Sequence, residues 1–324
     1  MFTTKELQEK INLYIAQWNY ARRPKGLYAP IEYVLSLGGK RLRPILMLMA
    51  YNIYKEDVDA ILPSAVGLET YHNYTLLHDD LMDRADMRRN KPTVHKVWND
   101  NTAILSGDTM LVLAYQQMSM SDSAHLKKVL DIFNKTALEI GEGQQYDMEF
   151  ETRDDVTEDE YLEMIRLKTS VLLAAALQIG AVLGDASPED ARRLYDYGIQ
   201  LGLAFQLQDD YLDVYGNEAE FGKKIGGDIL CNKKTYMLIN AMLRADDRQR
   251  AELKHWIEAR DYVPAEKIQA VTALYDAIGI RELCDRKIAC YFEHAEHILN
   301  QVQVNDERKQ MLREYAASLM HRSV

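Results

Sequence analysis

Little in this 324-residue chain would break a helix: it contains seven prolines and 16 glycines. The prolines fall at plausible element boundaries, and proline inside a helix removes a hydrogen bond and clashes with the preceding turn. Cysteine is also scarce. Cys231, Cys284 and Cys290 show no CxxC spacing, which excludes a zinc knuckle or a disulfide framework and suits a reducing cytosol. Positive charge is in deficit. A formal net charge of -11 and a pI near 5.3 argue against a general surface for nucleic acid or anionic membrane. The N-terminus, MFTTKELQEK, carries charges where a signal peptide has its apolar stretch. The most apolar run, VLLAAALQIGAVLG, is interrupted by Gln178 and reaches about two thirds of the roughly 20 residues of a membrane span. These absences lead us to expect a cytoplasmic protein without stable membrane insertion and without a nucleic-acid partner.

What is present is helical periodicity. In ASPEDARRLYDYGIQLGLAFQLQDDYLDVYG, Ser187 can cap, Pro188 suits the first helical position, and Glu189 and Asp190 complement the dipole. That helix should run to about Gly216. Pro44 can open ILMLMAYNIY, and Thr157 with Glu160 spells a capping box ahead of YLEMIRLKTSVLLAAALQIGAVLG. No run of alternating β-branched residues bounded by turns suggests a sheet, and no low-complexity linker divides the chain. We expect an all-α protein, one domain over residues 1–324.

Two acidic triplets stand out. Each helical residue turns about 100°, so Asp79, Asp80 and Asp83 fall at about 0°, 100° and 40°, within one arc. Carboxylates three or four residues apart are close enough to share a hard cation. The pattern recurs as Asp209, Asp210 and Asp213 in QLQDDYLD. One such match arises easily by chance, whereas two late in apolar helices, where unpaired carboxylates are costly, point to metal. The related DDVTED, Asp154 to Asp159, reads instead as the acidic start of a helix.

Cations lie nearby in the sequence. Arg88 and Arg89 follow the first triplet; Lys40 and Arg43 lie in GGKRLRP; Lys168, Lys223 and Lys233 lie in RLKTS, FGKKIGGD and CNKKT. Guanidinium groups grip phosphate bidentately and lysine adds a point charge, although any one of these could be a solvated surface residue. His72 sits about 20° round the wheel from Asp79 and faces the acidic arc, or is an ordinary core histidine.

GGKRLRP, DDLMDRADMRRNKPTVH, GQQYD, KTS, FQLQDDYLD and GKKIGGD occur in the order found in trans-isoprenyl diphosphate synthases, the polyprenyl synthetases, and on these motifs the chain resembles that family. The resemblance implies a multi-helix bundle with a central active-site cavity, and about three magnesium ions. Asp79 and Asp83 would hold two of them on an allylic diphosphate and Asp209 a third, with Asp80, Asp210 and Asp213 also in the catalytic set. Lys40, Arg43, His72 and Arg89 would bind isopentenyl diphosphate. Arg88, Lys168, Thr169, Gln206, Lys223 and Lys233 would surround the allylic diphosphate, and Gln144 and Asp147 match a supporting motif. The implied reaction is departure of diphosphate to leave an allylic cation, attacked by the double bond of isopentenyl diphosphate. A homodimer is also implied. After about Asn240 no motif is legible.

Product length is implied by the helix before the first triplet, where a bulky residue about five positions upstream floors the tunnel. That residue is Tyr74, with Tyr71 one turn deeper and small Thr75 beside it. The wheel alone places Tyr74 about 140° from Asp79 and would not choose it. The expectation is a short-chain synthase making farnesyl or, by preference, geranylgeranyl diphosphate. Rival readings are a longer-chain synthase, a non-catalytic synthase subunit, and a di-iron bundle using Glu69 with His72 and Glu252 with His255, which match Glu-x-x-His.

Overall fold

The computed structural model describes residues 1–18, 22–217 and 225–320. The chain is almost wholly helical and divides into two compact units, each with its own core. The first comprises residues 1–134, 175–194 and 303–312; the second comprises 135–174, 195–302 and 313–324.

In the first unit, α1 (Thr4–Gln17) starts on a capping box between Thr3 and Glu6. It is followed by α2 (Lys25–Ser36), α3 (Leu42–Asn52) and α4 (Leu62–Met82). α4 packs against α1, α2, α3 and α6 (Asp100–Met118). Because partners surround it, α4 is apolar round most of its circumference rather than along one stripe. Gly67 of α4 lies against the Ala114 carbonyl, 3.1 Å from where a Cβ would stand, so the two backbones approach closely. α3 begins two residues earlier than Pro44 suggests, because Arg41 takes a left-handed conformation (φ 51°) and serves as its N-cap. A sheet was not expected, yet β1 (Met87–Arg88) pairs with β2 (Lys91–Pro92). Arg89 and Asn90 both have positive φ (51° and 59°), the geometry of a two-residue hairpin turn that asparagine favours. A short α5 (Val94–Val97) follows.

The second unit buries Tyr161, Leu207, Tyr211, Met237, Leu253 and Cys284 among others. Truncating Leu207 or Met237, both fully enclosed, to alanine would cost about 2–5 kcal/mol. α8 (Glu158–Ile165) starts on the Thr157–Glu160 capping box expected from sequence. The chain then makes a π turn over Arg166–Ser170 before α9 (Val171–Leu183). Further on are α11 (Gly227–Leu230), α12 (Tyr236–Arg244), α13 (Asp247–Glu258), α14 (Pro264–Ile278) and α15 (Ile280–Asn300). α7 (Leu126–Thr152), α9, α10 (Pro188–Tyr215) and α16 (Asp306–Met320) contribute residues to both units. The stretch Glu158–Leu183 is long and apolar enough to cross a membrane, but 72% of its apolar window is buried inside the protein.

Candidate functional site

In the first unit, α4 ends at its acidic triplet: Asp79 and Asp80 occupy the last turn and Asp83 is the C-cap, its N–H donating to the Asp79 carbonyl at 2.9 Å. No basic residue lies in that last turn. A helix C-terminus carries partial negative charge, so the local rule for placing acids is broken. The hairpin supplies the compensation. Arg88 grips Asp80 through Nε, 2.8 Å from each carboxylate oxygen, and a second nitrogen lies 3.7 Å from Asp79. Even so, burial pushes the Asp80 carboxyl up to about 6, with Asp79 and Asp83 adding repulsion against the Arg88 charge.

The remaining first-unit candidates gather on neighbouring segments. Arg89 donates to the Gly38 carbonyl and, at 3.4 Å, to Asn73 Oδ1. Arg43 approaches His72 Nε2 at 3.0 Å; guanidinium can only donate, so that ring nitrogen is an acceptor. Burial, together with the Arg43 and Arg89 charges, holds His72 well below the usual histidine value. It is therefore neutral. Lys40 is exposed in the loop before α3.

In the second unit the other triplet also lies in the last turns of its helix, α10, again without a basic residue there. Its balance is different. Asp210 is buried and accepts from the Tyr161 hydroxyl and, at 3.0 Å, from Gln206 Nε2. Gln206 Oε1 in turn accepts from Thr169 at 3.0 Å. Burial raises the Asp210 carboxyl, and the Asp228 charge adds to it. Asp213 accepts from the Asp228 N–H at 2.9 Å. The π turn explains how Lys168 and Thr169 reach this cluster. Gly143 of α7 and Gly202 of α10 pack so tightly on it that an added Cβ would stand 2.4 Å from Lys168 N and 2.6 Å from Ser170 Cα respectively. A π bulge inside a helix often marks a functional position. Lys168 bonds Asp147 at 2.6 Å. Burial opposes ionisation of Asp147, but the Lys233 and Lys168 charges hold it below the usual carboxylate value.

Both triplets are carboxylate oxygen donors near helix C-termini. That chemistry fits a hard dication such as magnesium. The profile of the polyprenyl synthetase family matches residues 24–276. The chain belongs to that family. It is a prenyltransferase with the family's all-α fold, and Mg2+-dependent catalysis is general to the family.

Among relatives, the chain is 47% identical over 221 residues to a geranylgeranyl diphosphate synthase of Methanosarcina mazei, covering 68% of each sequence. It is 35% identical to a geranylfarnesyl diphosphate synthase of Natronomonas pharaonis, covering 98% of this chain and 96% of that one. A crystal structure of a geranylgeranyl pyrophosphate synthase matches all of both chains with a TM-score of 0.95 and 41% identity.

Within this polyprenyl synthetase the tyrosines upstream of the first triplet form a stack in the first unit. Tyr74 lies 5.5 Å from Tyr71 and 4.9 Å from the His78 ring, while Tyr71 lies 5.1 Å from Phe133, which meets Tyr115 at 4.9 Å. Tyr71 is buried and Tyr74 half-buried. The Thr75 hydroxyl is spent on the His72 carbonyl at 2.8 Å. Phe133 and Tyr115 escaped the sequence reading because they come from other helices. Tyr161 and Asp228 escaped it too: a tyrosine inside an apolar helix carries no motif, and Asp228 closes GKKIGGD without an assigned duty. Lys223 lies outside the described residues, and Gln144 sits half-buried on α7. The Glu-x-x-His spellings behave as ordinary structure, since Glu69 pairs with Arg41 at 2.8 Å and both Glu252 and His255 are exposed.

Proposed function

We propose that this protein condenses isopentenyl diphosphate with an allylic diphosphate and releases chiefly geranylgeranyl diphosphate. The observation that carries the reading is the pair of matching carboxylate triplets near two helix C-termini, on a chain whose relatives are named as geranylgeranyl and short-chain isoprenyl diphosphate synthases. Asp79 and Asp83 would hold two magnesium ions and Asp209 a third. When bound, magnesium supplies the positive charge that lets diphosphate depart.

The chain's own residues do the rest. Lys40, Arg43 and Arg89 bind the diphosphate of isopentenyl diphosphate, with neutral His72 orienting Arg43. Arg88, Lys168, Thr169, Gln206, Lys223 and Lys233 bind or flank the allylic diphosphate, and cations fixed before the reaction cost no reorganisation when charge develops. Apolar helix faces keep water from the allylic cation. The freed diphosphate takes up the proton lost when the new double bond forms.

Asp80, Asp210 and Asp213 support the metal-binding acids, and Gln144 and Asp147 position Lys168. The chain works as one domain, in the cytosol and as a homodimer. The exposed Leu105 and Val112, seven residues apart on one face of α6, suit contact with a second copy.

Tyr74, backed by Tyr71 and beside small Thr75, would floor the product tunnel. The test is mass spectrometry of products from magnesium, isopentenyl diphosphate and each allylic primer. A 20-carbon main product is expected from the wild type, and one or more added isoprene units from Tyr74→Ala. A wild type that makes no prenyl diphosphate overturns the assignment; an active Tyr74→Ala with unchanged products removes Tyr74 as the floor.

A further inference from the structure

The first unit contains a buried charge pair that the reaction does not use. Arg41, in the middle of GGKRLRP, is 4% exposed, and its partner Glu69, at 2.8 Å, is 2% exposed. The left-handed backbone of Arg41 turns its side chain inward, where it also donates to the Leu35 carbonyl at 2.8 Å and to Asn12 Oδ1 at 3.2 Å. The same Glu69 oxygen accepts from Asn73 Nδ2 at 3.0 Å. Asn73 is itself buried, and its Oδ1 accepts from Arg89. Arg89 is exposed and bonds back to Gly38 in the loop that carries Lys40. A closed circuit thus runs from Arg41 through Glu69, Asn73 and Arg89 to the loop that Arg41 itself anchors.

A buried ion pair is a poor stabiliser, because desolvation offsets its attraction. Retaining one therefore calls for another reason. Arg41 and Arg89 are like charges joined by this circuit; they repel one another, and the Glu69 charge acts on both. Glu69 is the one carboxylate in this circuit. We infer that Glu69 is a resident counterion for these cations, and that Arg41, Glu69 and Asn73 are positioning residues that hold Arg89 and the Gly38–Arg43 loop ready for the diphosphate of isopentenyl diphosphate. The inference rests on the assignment of Arg89 to that substrate. It also gives a duty to Glu69, which by spelling alone resembled an iron ligand.

The test uses the full-length protein with two variants. Asn73→Ala removes the acceptor for Arg89 without changing charge; the KM for isopentenyl diphosphate should rise about five- to tenfold, while kcat and the allylic KM stay within about twofold. Glu69→Gln keeps the shape but removes the counterion. Its Tm should fall, and saturating isopentenyl diphosphate should raise that Tm by more than it raises the wild type's, because the ligand then replaces the missing charge. A lowered Tm in Asn73→Ala with both KM values unchanged, or equal ligand-induced Tm gains in Glu69→Gln and wild type, overturns the inference. A wild type whose Tm does not respond to isopentenyl diphosphate instead faults the substrate assignment beneath it.

Discussion

The two acidic triplets are spelled alike but balanced differently. In the first unit, Asp80 is held by a cation, Arg88, delivered by a hairpin just beyond the helix. In the second, Asp210 is held by neutral donors, Tyr161 on α8 and Gln206 one turn earlier on its own helix. A guanidinium also grips phosphate, so under the proposed function the first cluster would exchange its internal partner for substrate and metal. A phenol and an amide carry no counter-charge, so at Asp210 they fix the shape of the second cluster while the Lys233 charge acts on the carboxylate. The same pattern thus gives an exchangeable site in one region and a preorganised one in the other.

The sharpest way to break this comparison is to remove the acids. Asp79→Ala and Asp209→Ala should each lower turnover by about a thousandfold or more at saturating magnesium. Without metal their Tm should be unchanged or slightly raised, since each deletion relieves repulsion at a helix C-terminus; steady-state rates and thermal melts check both. Next come the arginines. Arg88→Ala should raise the allylic KM, and Arg89→Ala the KM for isopentenyl diphosphate, by about tenfold each; equal losses for both substrates in both variants would erase the division. Tyr161→Phe should cost about 1–3 kcal/mol of stability in denaturant melts, because Asp210 loses a buried donor. Arg88→Ala should cost about 1 kcal/mol or less, its ion pair being partly exposed.

The smallest effect concerns pH. His72 is neutral when folded and lies well below its ordinary value of 6.5. Unfolding lets it take up a proton below about 6.5. Its contribution to stability is thus complete above that pH and is lost as pH falls through the window below it. Melts of His72→Gln should show a shallower decline on the acid side, and an identical decline would contradict this.

Much of this was legible in the sequence because helical periodicity and caps are local signals. The Thr157 capping box and the long helix from Pro188 appear where their residues place them. The π turn at Lys168 was not legible, since a single added residue barely disturbs apolar periodicity; the close-packed Gly143 and Gly202 were its only trace. The hairpin was missed because two residues per strand carry no alternation, although the positive φ of Arg89 and Asn90 suits the asparagine. The acids and cations were singled out by spacing and resemblance, together with the partners Arg88, Gln206 and Asp147, whereas other partners were not. Tyr161 and Phe133 come from helices other than those of the residues they touch, which spacing along one helix does not encode. The relation of Tyr74 to Tyr71 shows the same limit: a wheel gives directions about one axis, while the stack depends on Phe133 from another helix.

The central claim is that each acidic triplet binds metal. Calorimetric titration of magnesium into the protein carrying an unreactive allylic thiodiphosphate tests it most directly. The expected result is about three ions for the wild type, about two fewer for Asp79→Ala and about one fewer for Asp209→Ala. The same stoichiometry and affinity in all three proteins would contradict it.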